Sequence, residues 1–257
     1  MLKRLIRKTM STHEKTLLGL SLPTLSKKDI RENILKDAEK REGWEMVMSI
    51  NPEIIEIAHQ NPEFKNIILS SKYILIDGAG IVLASQLLSM LKPTRYTGVD
   101  FLTDSIHDAY VRRLTVMLIG GKGNVAERLA DCYREKYSNL NVIGIEGYRD
   151  ISRPTDKETQ AIFSIVASAK PHLVFVAFGS PTQELWLYKN RAHLGHSVCA
   201  GVGGAFDFLA GDVRRAPAVV RKLGVEWAYR LVLQPWRWKR QVRLISFVKR
   251  VLKERLA

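Results

Sequence analysis

The feature that most constrains the fold of this chain is a regular alternation of short apolar runs with longer helical patterns. Six runs have the length and composition of buried strands, at residues 44–50, 73–76, 114–119, 141–145, 172–178 and 197–202. The segments between them are typical of helices of about 10–15 residues. Strands that alternate with such helices predict an α/β fold with a mainly parallel sheet and helices on both faces.

Polar or Gly-rich stretches follow the carboxyl ends of these predicted strands. They contain Ser49 and Asn51, then residues 77–80, 120–123, 147–148, 179–184 and 203–207. Parallel strands end at the same edge of a sheet, and open sheets of this kind bind ligands beyond that edge. Several polar ends that meet at one edge therefore predict a binding or active site there.

Three side chains in these stretches have chemistry suited to a site, and each also has a simpler interpretation. Asp77 ends an apolar strand, where desolvation would favour a general base, but it could equally cap the next helix. Gln183 offers a donor and an acceptor suited to a sugar hydroxyl. Arg95 lies in a predicted loop, either as a solvated charge or as a clamp for phosphate or carboxylate.

The last predicted strand leads into the sequence AGVGGAFDFLAG at residues 200–211. Gly201, Gly203 and Gly204 remove side chains where the chain turns tightly or where a ligand approaches the backbone. Asp207 follows at once, and its simpler interpretation is a cap in a strand-to-helix turn. The GGKG sequence at 120–123 lacks the full phosphate-loop pattern, which favours a tight turn with a solvated Lys122.

The positive charge of the chain is concentrated at its C-terminal end. The formal net charge is +14, and residues 212–257 contribute +10 of it, with 13 Lys and Arg against 3 Asp and Glu. Such a basic segment suits an anionic partner: a membrane surface, nucleic acid or phosphates. Positions 220–231 predict one packed helix that ends before Pro235. Beyond it, a stripe of five apolar residues predicts a helix that either packs on the core or meets an anionic bilayer: Trp238, Val242, Ile245, Val248 and Leu252.

Composition also bounds the class of protein. No apolar run reaches the length of a membrane-spanning helix, and Cys132 and Cys199 are expected to be buried thiols of a cytoplasmic protein. The histidines have no ligand spacing and the chain has no D-x-D sequence, so neither a metal nor a cofactor is predicted. We expect three regions, a helical extension at 1–40, a catalytic domain at 41–211 and a helical appendage at 212–257.

These motifs together resemble the WecG/TagA/CpsF glycosyltransferase family over about residues 47–240. The resemblance depends on SINPEII (49–55), DGAGIV (77–82), RYTGVD (95–100), IGG (119–121), GSPTQE (179–184), the 200–211 stretch with RAP (215–217), GVEWAYRL (224–231) and QPWRWKR (234–240). It implies a Rossmann-like catalytic domain and an inverting, metal-independent enzyme. The family transfers a sugar, typically of the N-acetylmannosamine type, from a UDP-sugar to a polyprenyl-diphosphate-linked acceptor.

The resemblance also assigns a role to individual residues. Asp77 is the general base, and Ser49 and Gln183 belong to the catalytic group. Ser49 stands where the family usually has Thr, so the hydroxyl is kept but the sugar preference is left open. Asn51, Arg95 and Gln183 are expected to line the sugar and diphosphate pocket, and Asp207, with Tyr148 nearby, to hold the uridine. Gly204 is also expected to bind substrate, and Arg230, Arg237 and Arg240 to meet the diphosphate.

The implied setting is the inner face of a bacterial plasma membrane, where the protein would be peripheral and would serve cell-surface polysaccharide or teichoic acid synthesis. The oligomeric state is left open, with a homo-oligomer among the options, and no nucleic acid partner is expected. The alternative is a non-catalytic nucleotide- or nucleic-acid-binding module, in which Trp227, Trp236 and Trp238 stack bases. An NAD-dependent enzyme is disfavoured because the glycine fingerprint is missing.

Overall fold

The computed structural model describes residues 16–222, 224–233, 235 and 238–256, with the backbone alone at residues 222, 230, 233 and 239–241. Six strands form one parallel sheet in the order β2-β1-β6-β5-β3-β4. They are β1 (Glu45–Ile50), β2 (Tyr73–Ile76), β3 (Val116–Gly120), β4 (Val142–Ile145), β5 (Leu173–Ala177) and β6 (Val198–Gly201). Five lie within a predicted run and β3 extends one residue beyond its run, at Gly120, which confirms the α/β, Rossmann-like fold.

Twelve helices are described, and most of them connect or cover the strands. They are α1 (Lys27–Lys40), α2 (Pro52–Gln60), α3 (Pro62–Ser70), α4 (Ala79–Leu87), α5 (Gly98–Arg112), α6 (Val125–Lys136), α7 (Asp156–Ala169), α8 (Thr182–Lys189), α9 (Ala205–Leu209), α10 (Ala218–Lys222), α11 (Glu226–Leu233) and α12 (Trp238–Leu256).

The apolar side chains form two cores, one on each face of the sheet. In β1, Met46, Met48 and Ile50 belong to one core and Val47 to the other, as the two-residue period of a strand requires. The first core is covered by α2, α3, α4, α7, α8 and α12, and the second by α1, α5, α6 and α9. The sheet is therefore buried on both faces, which explains the almost continuous apolar strands.

Local capping determines where several helices begin. Asn51 caps α2 with Pro52 at the first position, as predicted, since its Oδ1 accepts from the N–H of Ile54 at 3.0 Å. Thr97 caps α5 by accepting from the N–H of Asp100 at 3.2 Å. Helix α5 thus begins inside residues 94–100, which we had expected to be a loop, and this places Gly98 in its first turn.

The C-terminal segment differs from the prediction in one respect. The single helix expected at 220–231 is instead two helices, because Gly224 between α10 and α11 has a φ of +75° that a helix does not allow. Helix α12 follows Pro235 as predicted and packs on α2, with Phe247 and Val251 buried in the first core. Arg243 and Arg250 of α12 form ion pairs with Glu53 and Glu56 of α2.

Helices α1 and α12 both belong to the layers that cover the sheet, and the domain limits at residues 40 and 211 stay predictions. The expectation for the cysteines was half right: Cys199 is buried in β6, whereas Cys132 is exposed because α6 buries Val125, Ala126 and Leu129 instead. No helix in the described part of the chain is long and apolar enough to cross a membrane.

Candidate active site

A cavity of about 480 Å³ lies at the carboxyl edge of the sheet and is lined by residues at or after the ends of all six strands. Seven of the residues selected from the sequence line it: Ser49, Asn51, Asp77, Tyr148, Gln183, Gly204 and Asp207. They come from distant parts of the chain and meet because parallel strands end together. The structure thus brings most of the predicted site residues to one place, while their individual roles stay predictions.

Asp77 and Ser49 lie at one end of this cavity. Asp77 follows β2, and its N–H extends the sheet by donating to the Ile50 carbonyl oxygen at 2.8 Å. Its Oδ2 accepts from the N–H of Gly98 at 3.2 Å, in the first turn of α5, where the helix dipole favours a negative charge. A Cβ on Gly98 would lie 3.7 Å from both Asp77 Oδ2 and Ser49 Oγ, so the carboxylate and the hydroxyl flank the same glycine.

Gln183 lies in the first turn of α8, and the protein already uses both ends of its carboxamide. Oε1 accepts from the N–H groups of Gly179 at 3.1 Å and Gly203 at 3.0 Å. Nε2 donates to Glu184 Oε1 at 2.7 Å and to Ser180 Oγ at 3.2 Å. These four bonds fill the usual capacity of the group, which differs from our expectation that Gln183 offers its amide to a sugar.

Tyr148 and Asp207 also line the cavity. The Tyr148 hydroxyl accepts from Trp186 Nε1 at 3.2 Å, and its ring packs edge to face on Phe178, with ring centroids 5.8 Å apart. Asp207 lies in α9, directly after the glycine turn that contains Gly204. Gly203 at that turn has a φ of +50°, so a glycine suits it for conformational reasons.

Arg95 does not lie among the residues that line this cavity. It lines a second cavity of about 250 Å³ beside α10 and α11. Its Nη1 donates to the Arg221 carbonyl oxygen at 2.8 Å, and its Nη2 lies 3.9 Å from Glu226 Oε2. The backbone of this loop is fixed at the sheet edge, because the Tyr96 N–H donates to the Ile76 carbonyl oxygen. The guanidinium therefore points to the C-terminal segment and not to the site.

The three C-terminal arginines of the sequence prediction cannot be placed. Arg237 lies outside the described residues, and the side chains of Arg230 and Arg240 lie outside the described atoms of α11 and α12. Their proposed contact with diphosphate stays a prediction.

The described lining of the cavity contains more acidic than basic side chains. The acidic ones are Glu53, Asp77, Asp150, Glu184 and Asp207, and the basic ones are Lys122 and Arg149. Sequence reasoning left out both cations. Lys122 gave a signal in the GGKG turn that we interpreted as a solvated lysine, whereas Arg149 had no signal beyond its place after Tyr148. Among the described residues, no group of three His, Cys, Asp or Glu side chains is arranged to hold a metal ion.

Comparison with known proteins identifies the family. The profile of the WecG/TagA/CpsF family of glycosyl transferases matches residues 15–257. An N-acetylglucosaminyldiphosphoundecaprenol N-acetyl-beta-D-mannosaminyltransferase of Bacillus subtilis (strain 168) is 32% identical over 210 residues, which cover 81% of this chain and 79% of the relative. The protein of the same name from Staphylococcus aureus (strain NCTC 8325 / PS 47) is 28% identical over 242 residues, covering 94% and 92%.

A cavity at the carboxyl edge of a parallel sheet, lined by the residues of the family motifs, agrees with this match across almost the whole chain. The resemblance found in the sequence is confirmed: this chain belongs to the WecG/TagA/CpsF glycosyltransferase family.

Proposed function

We propose that this protein is an inverting glycosyltransferase that moves an N-acetylmannosamine-type sugar from UDP to a polyprenyl-diphosphate-linked saccharide. The observation that carries the proposal is that Ser49, Asp77 and Asp207, from three separate family motifs, line one cavity. The relatives supply the acceptor class, since their names describe transfer of N-acetylmannosamine to N-acetylglucosaminyl-diphosphoundecaprenol. Cell-surface polysaccharide or teichoic acid synthesis is the process that such a product serves.

In this mechanism Asp77 removes the proton from the acceptor hydroxyl. The acceptor oxygen then forms a bond to the anomeric carbon, the bond from that carbon to the diphosphate oxygen breaks, and UDP leaves with the electron pair. Attack from the side opposite to UDP inverts the anomeric centre. The Gly98 N–H holds the Asp77 carboxylate in position before the substrate arrives, and such preorganisation is worth a large part of a general base's effect.

The leaving UDP carries negative charge that the enzyme must stabilise. Lys122 and Arg149 are the cations of the described lining, and they are outnumbered there by carboxylates. We therefore keep Arg230, Arg237 and Arg240 as the groups that complete the diphosphate site without a metal ion. Helix α12 supports this, because its Arg243 reaches Glu53 at 2.7 Å, and Glu53 lines the cavity. Helix α12 of the appendage thus reaches the edge of the site.

The same helix is our candidate for contact with an anionic membrane surface. Its inner face packs on the core through Phe247 and Val251, while the predicted apolar stripe faces outward: Trp238, Val242, Ile245, Val248 and Leu252 are all exposed. Lys249 and Lys253 lie next to Leu252 of this stripe. An exposed apolar face flanked by cations suits the interface of an anionic bilayer, which would place a peripheral enzyme next to its lipid-linked acceptor on the inner face of the plasma membrane.

The test is acceptor-dependent release of UDP. Purified protein is incubated with a panel of UDP-sugars and a short-chain lipid-diphosphate N-acetylglucosamine acceptor, with and without EDTA. We expect release with the N-acetylmannosamine donor, dependent on the acceptor and unaffected by EDTA. A nucleotide- or nucleic-acid-binding module would bind UDP without releasing any from the sugar. Loss of activity in EDTA that Mg²⁺ restores would contradict the metal-free mechanism.

A further inference from the structure

Three polar side chains, the half-buried Ser180 and the buried Gln183 and Glu184, lie in the turn after β5 and the first turn of α8. All three line the candidate active site. Gln183 is 3% exposed and Glu184 is 2% exposed. A buried polar group has to satisfy its hydrogen bonds inside the protein, so the pattern of its bonds shows what the group does.

The orientation of the Gln183 carboxamide follows from its partners. Oε1 faces two backbone N–H groups, those of Gly179 and Gly203, and each of these can only donate. The other end must therefore be the NH₂ group, which needs acceptors. Glu184 Oε1 and Ser180 Oγ are those acceptors, at 2.7 Å and 3.2 Å.

Gln183 thereby links two turns that follow separate strands. Gly179 follows β5, and Gly203 follows β6, and both turns line the cavity. The carboxamide also packs closely on β6, because a Cβ on Gly201 would lie 2.6 Å from Gln183 Nε2. Nothing larger than glycine fits at residue 201 while this amide keeps its place.

Glu184 is the anchor of this arrangement. Its Oε1 accepts from Gln183 Nε2 at 2.7 Å and from Ser180 Oγ at 2.7 Å. Its Oε2 is buried and has no hydrogen-bond partner among the residues that the structure describes. Burial raises the pKa of Glu184, against the effect of the hydrogen bonds from Gln183 and Ser180. The carboxyl can accept both bonds at Oε1 whether it is charged or uncharged.

We propose that Glu184 is a positioning residue of the donor site: it holds the Gln183 carboxamide in one orientation, and this amide fixes the turns after β5 and β6 at the spacing that the donor requires. The proposal rests on the proposed function for the identity of the donor, a UDP-sugar. It moves Gln183 from a group that contacts the sugar to one that shapes the pocket.

The decisive comparison is between Glu184→Gln and Glu184→Met. The Gln variant keeps an oxygen that accepts from Gln183 and Ser180, whereas the Met variant keeps the volume but offers no acceptor. We expect Glu184→Gln to bind UDP with a Kd within about threefold of the wild type. Glu184→Met leaves two donors, Gln183 Nε2 and Ser180 Oγ, without this buried acceptor. We therefore expect its affinity for UDP, measured by calorimetry, to be roughly 10-fold to 100-fold weaker than that of the wild type.

A second readout tests the positioning role without any enzyme assay. Amide hydrogen exchange of Gly179 and Gly203 should be faster in Glu184→Met than in the wild type and unchanged in Glu184→Gln. Glu127→Met serves as a control, because Glu127 is an exposed helical glutamate, and it should alter neither readout. A Gln183→Met/Glu184→Met double variant should be no worse than either single variant, because both break the same link.

Three results would overturn the proposal: wild-type UDP affinity and exchange in Glu184→Met, equal loss in Glu184→Gln and Glu184→Met, or additive effects in the double variant. If the wild type transfers no sugar, the proposed function fails, and the exchange data alone still decide whether Glu184 holds Gln183. If Glu184→Met does not fold, Ser180→Ala replaces it, since this change removes one partner from both Gln183 and Glu184.

Discussion

Helix α12 offers two opposite faces that can be tested separately. Trp238, Val242, Ile245, Val248 and Leu252 are between 45% and 59% exposed, whereas Phe247 is 2% exposed in the first core. We predict that substitutions on the outer face reduce membrane binding without affecting the fold, and that a substitution on the inner face does the reverse. The outer-face variant is Ile245→Ser/Val248→Ser/Leu252→Ser, and the inner-face variant is Phe247→Ala.

The size of the outer-face effect follows from the area that stays available for burial. Full burial of such an aliphatic side chain is worth about 1.5–3 kcal/mol, and these three are already about half buried, which leaves roughly 1 kcal/mol each. The triple variant should therefore lose about 3 kcal/mol of transfer free energy, a vesicle affinity roughly 100-fold weaker. Lys249 and Lys253, at about 1 kcal/mol each near an anionic surface, add a contribution that salt screens.

The effect on folding should have the opposite pattern. Phe247→Ala removes a buried aromatic ring and should lower the free energy of unfolding by about 3–5 kcal/mol. The three outer-face side chains are only about half buried, so each serine substitution should cost roughly 1 kcal/mol or less of unfolding free energy, below the cost of Phe247→Ala. Chemical denaturation therefore separates the two variants.

The assay is sedimentation with vesicles that contain anionic lipid, repeated with zwitterionic vesicles and at high salt. We expect the wild type to bind anionic vesicles at low salt and to be released as salt rises, and the triple variant to stay in the supernatant while it remains folded. Wild-type sedimentation of the triple variant would refute the reasoning, and so would binding that is insensitive to both lipid charge and salt. The stripe would then need another explanation.

Three further predictions concern the site. Asp77→Asn should keep UDP affinity but lower turnover by roughly 10²–10⁴-fold, the usual worth of a general base, and near-wild-type turnover would exclude that role. Asp207→Ala should weaken UDP binding because a carboxylate can accept the uracil N–H, and an unchanged Kd by calorimetry would exclude Asp207 from uridine binding. Burial raises the pKa of Glu184 above its ordinary value of 4.5. The contribution of this carboxyl to the free energy of unfolding is therefore complete below that pH and is lost as the pH rises through the pKa of the folded protein. Glu184→Gln should therefore have a flatter dependence of unfolding free energy on pH than the wild type, and identical curves would mean that Glu184 titrates normally.

The fold was predictable because its determinants are local. Each strand is a short apolar run and the helix starts carry capping residues, such as Asn51 before Pro52. Once the strands are parallel, the ends of β1, β2, β5 and β6 must meet, so the sequence alone could place Ser49, Asp77 and Asp207 near one another. The reasoning fails where the outcome depends on which partner a long side chain finds.

Arg95 and Gln183 are two examples of this limit. Arg95 has a flexible side chain, and only the packed structure reveals that Arg221 and Glu226 of the C-terminal segment are within its reach. Gln183 was correctly placed at the site, but the hydrogen bond that links it to the turn after β6 comes from Gly203, which is distant in sequence. The outward stripe of α12 was visible as a period, whereas the burial of Phe247 on the opposite face needed α2 to be in place.

The C-terminal segment also contacts the first turn of α5, which lies beside Asp77. Arg215, just before α10, pairs with Asp100 at 2.8 Å in the first turn of α5. Burial acts to raise the pKa of Asp100, but hydrogen bonds from Arg215 and Thr97 outweigh it, so the pKa lies below the ordinary value and Asp100 stays charged.

The same turn of α5 carries Gly98, whose N–H holds the carboxylate of Asp77. Arg95, three residues before Gly98, fixes the loop to α10 and α11 through Arg221 and Glu226. Asp77 is thus oriented by a backbone segment that two arginines tie to the C-terminal helices. We therefore predict that a substitution at Arg95 lowers turnover through the position of Asp77, although its guanidinium lies outside the candidate active site.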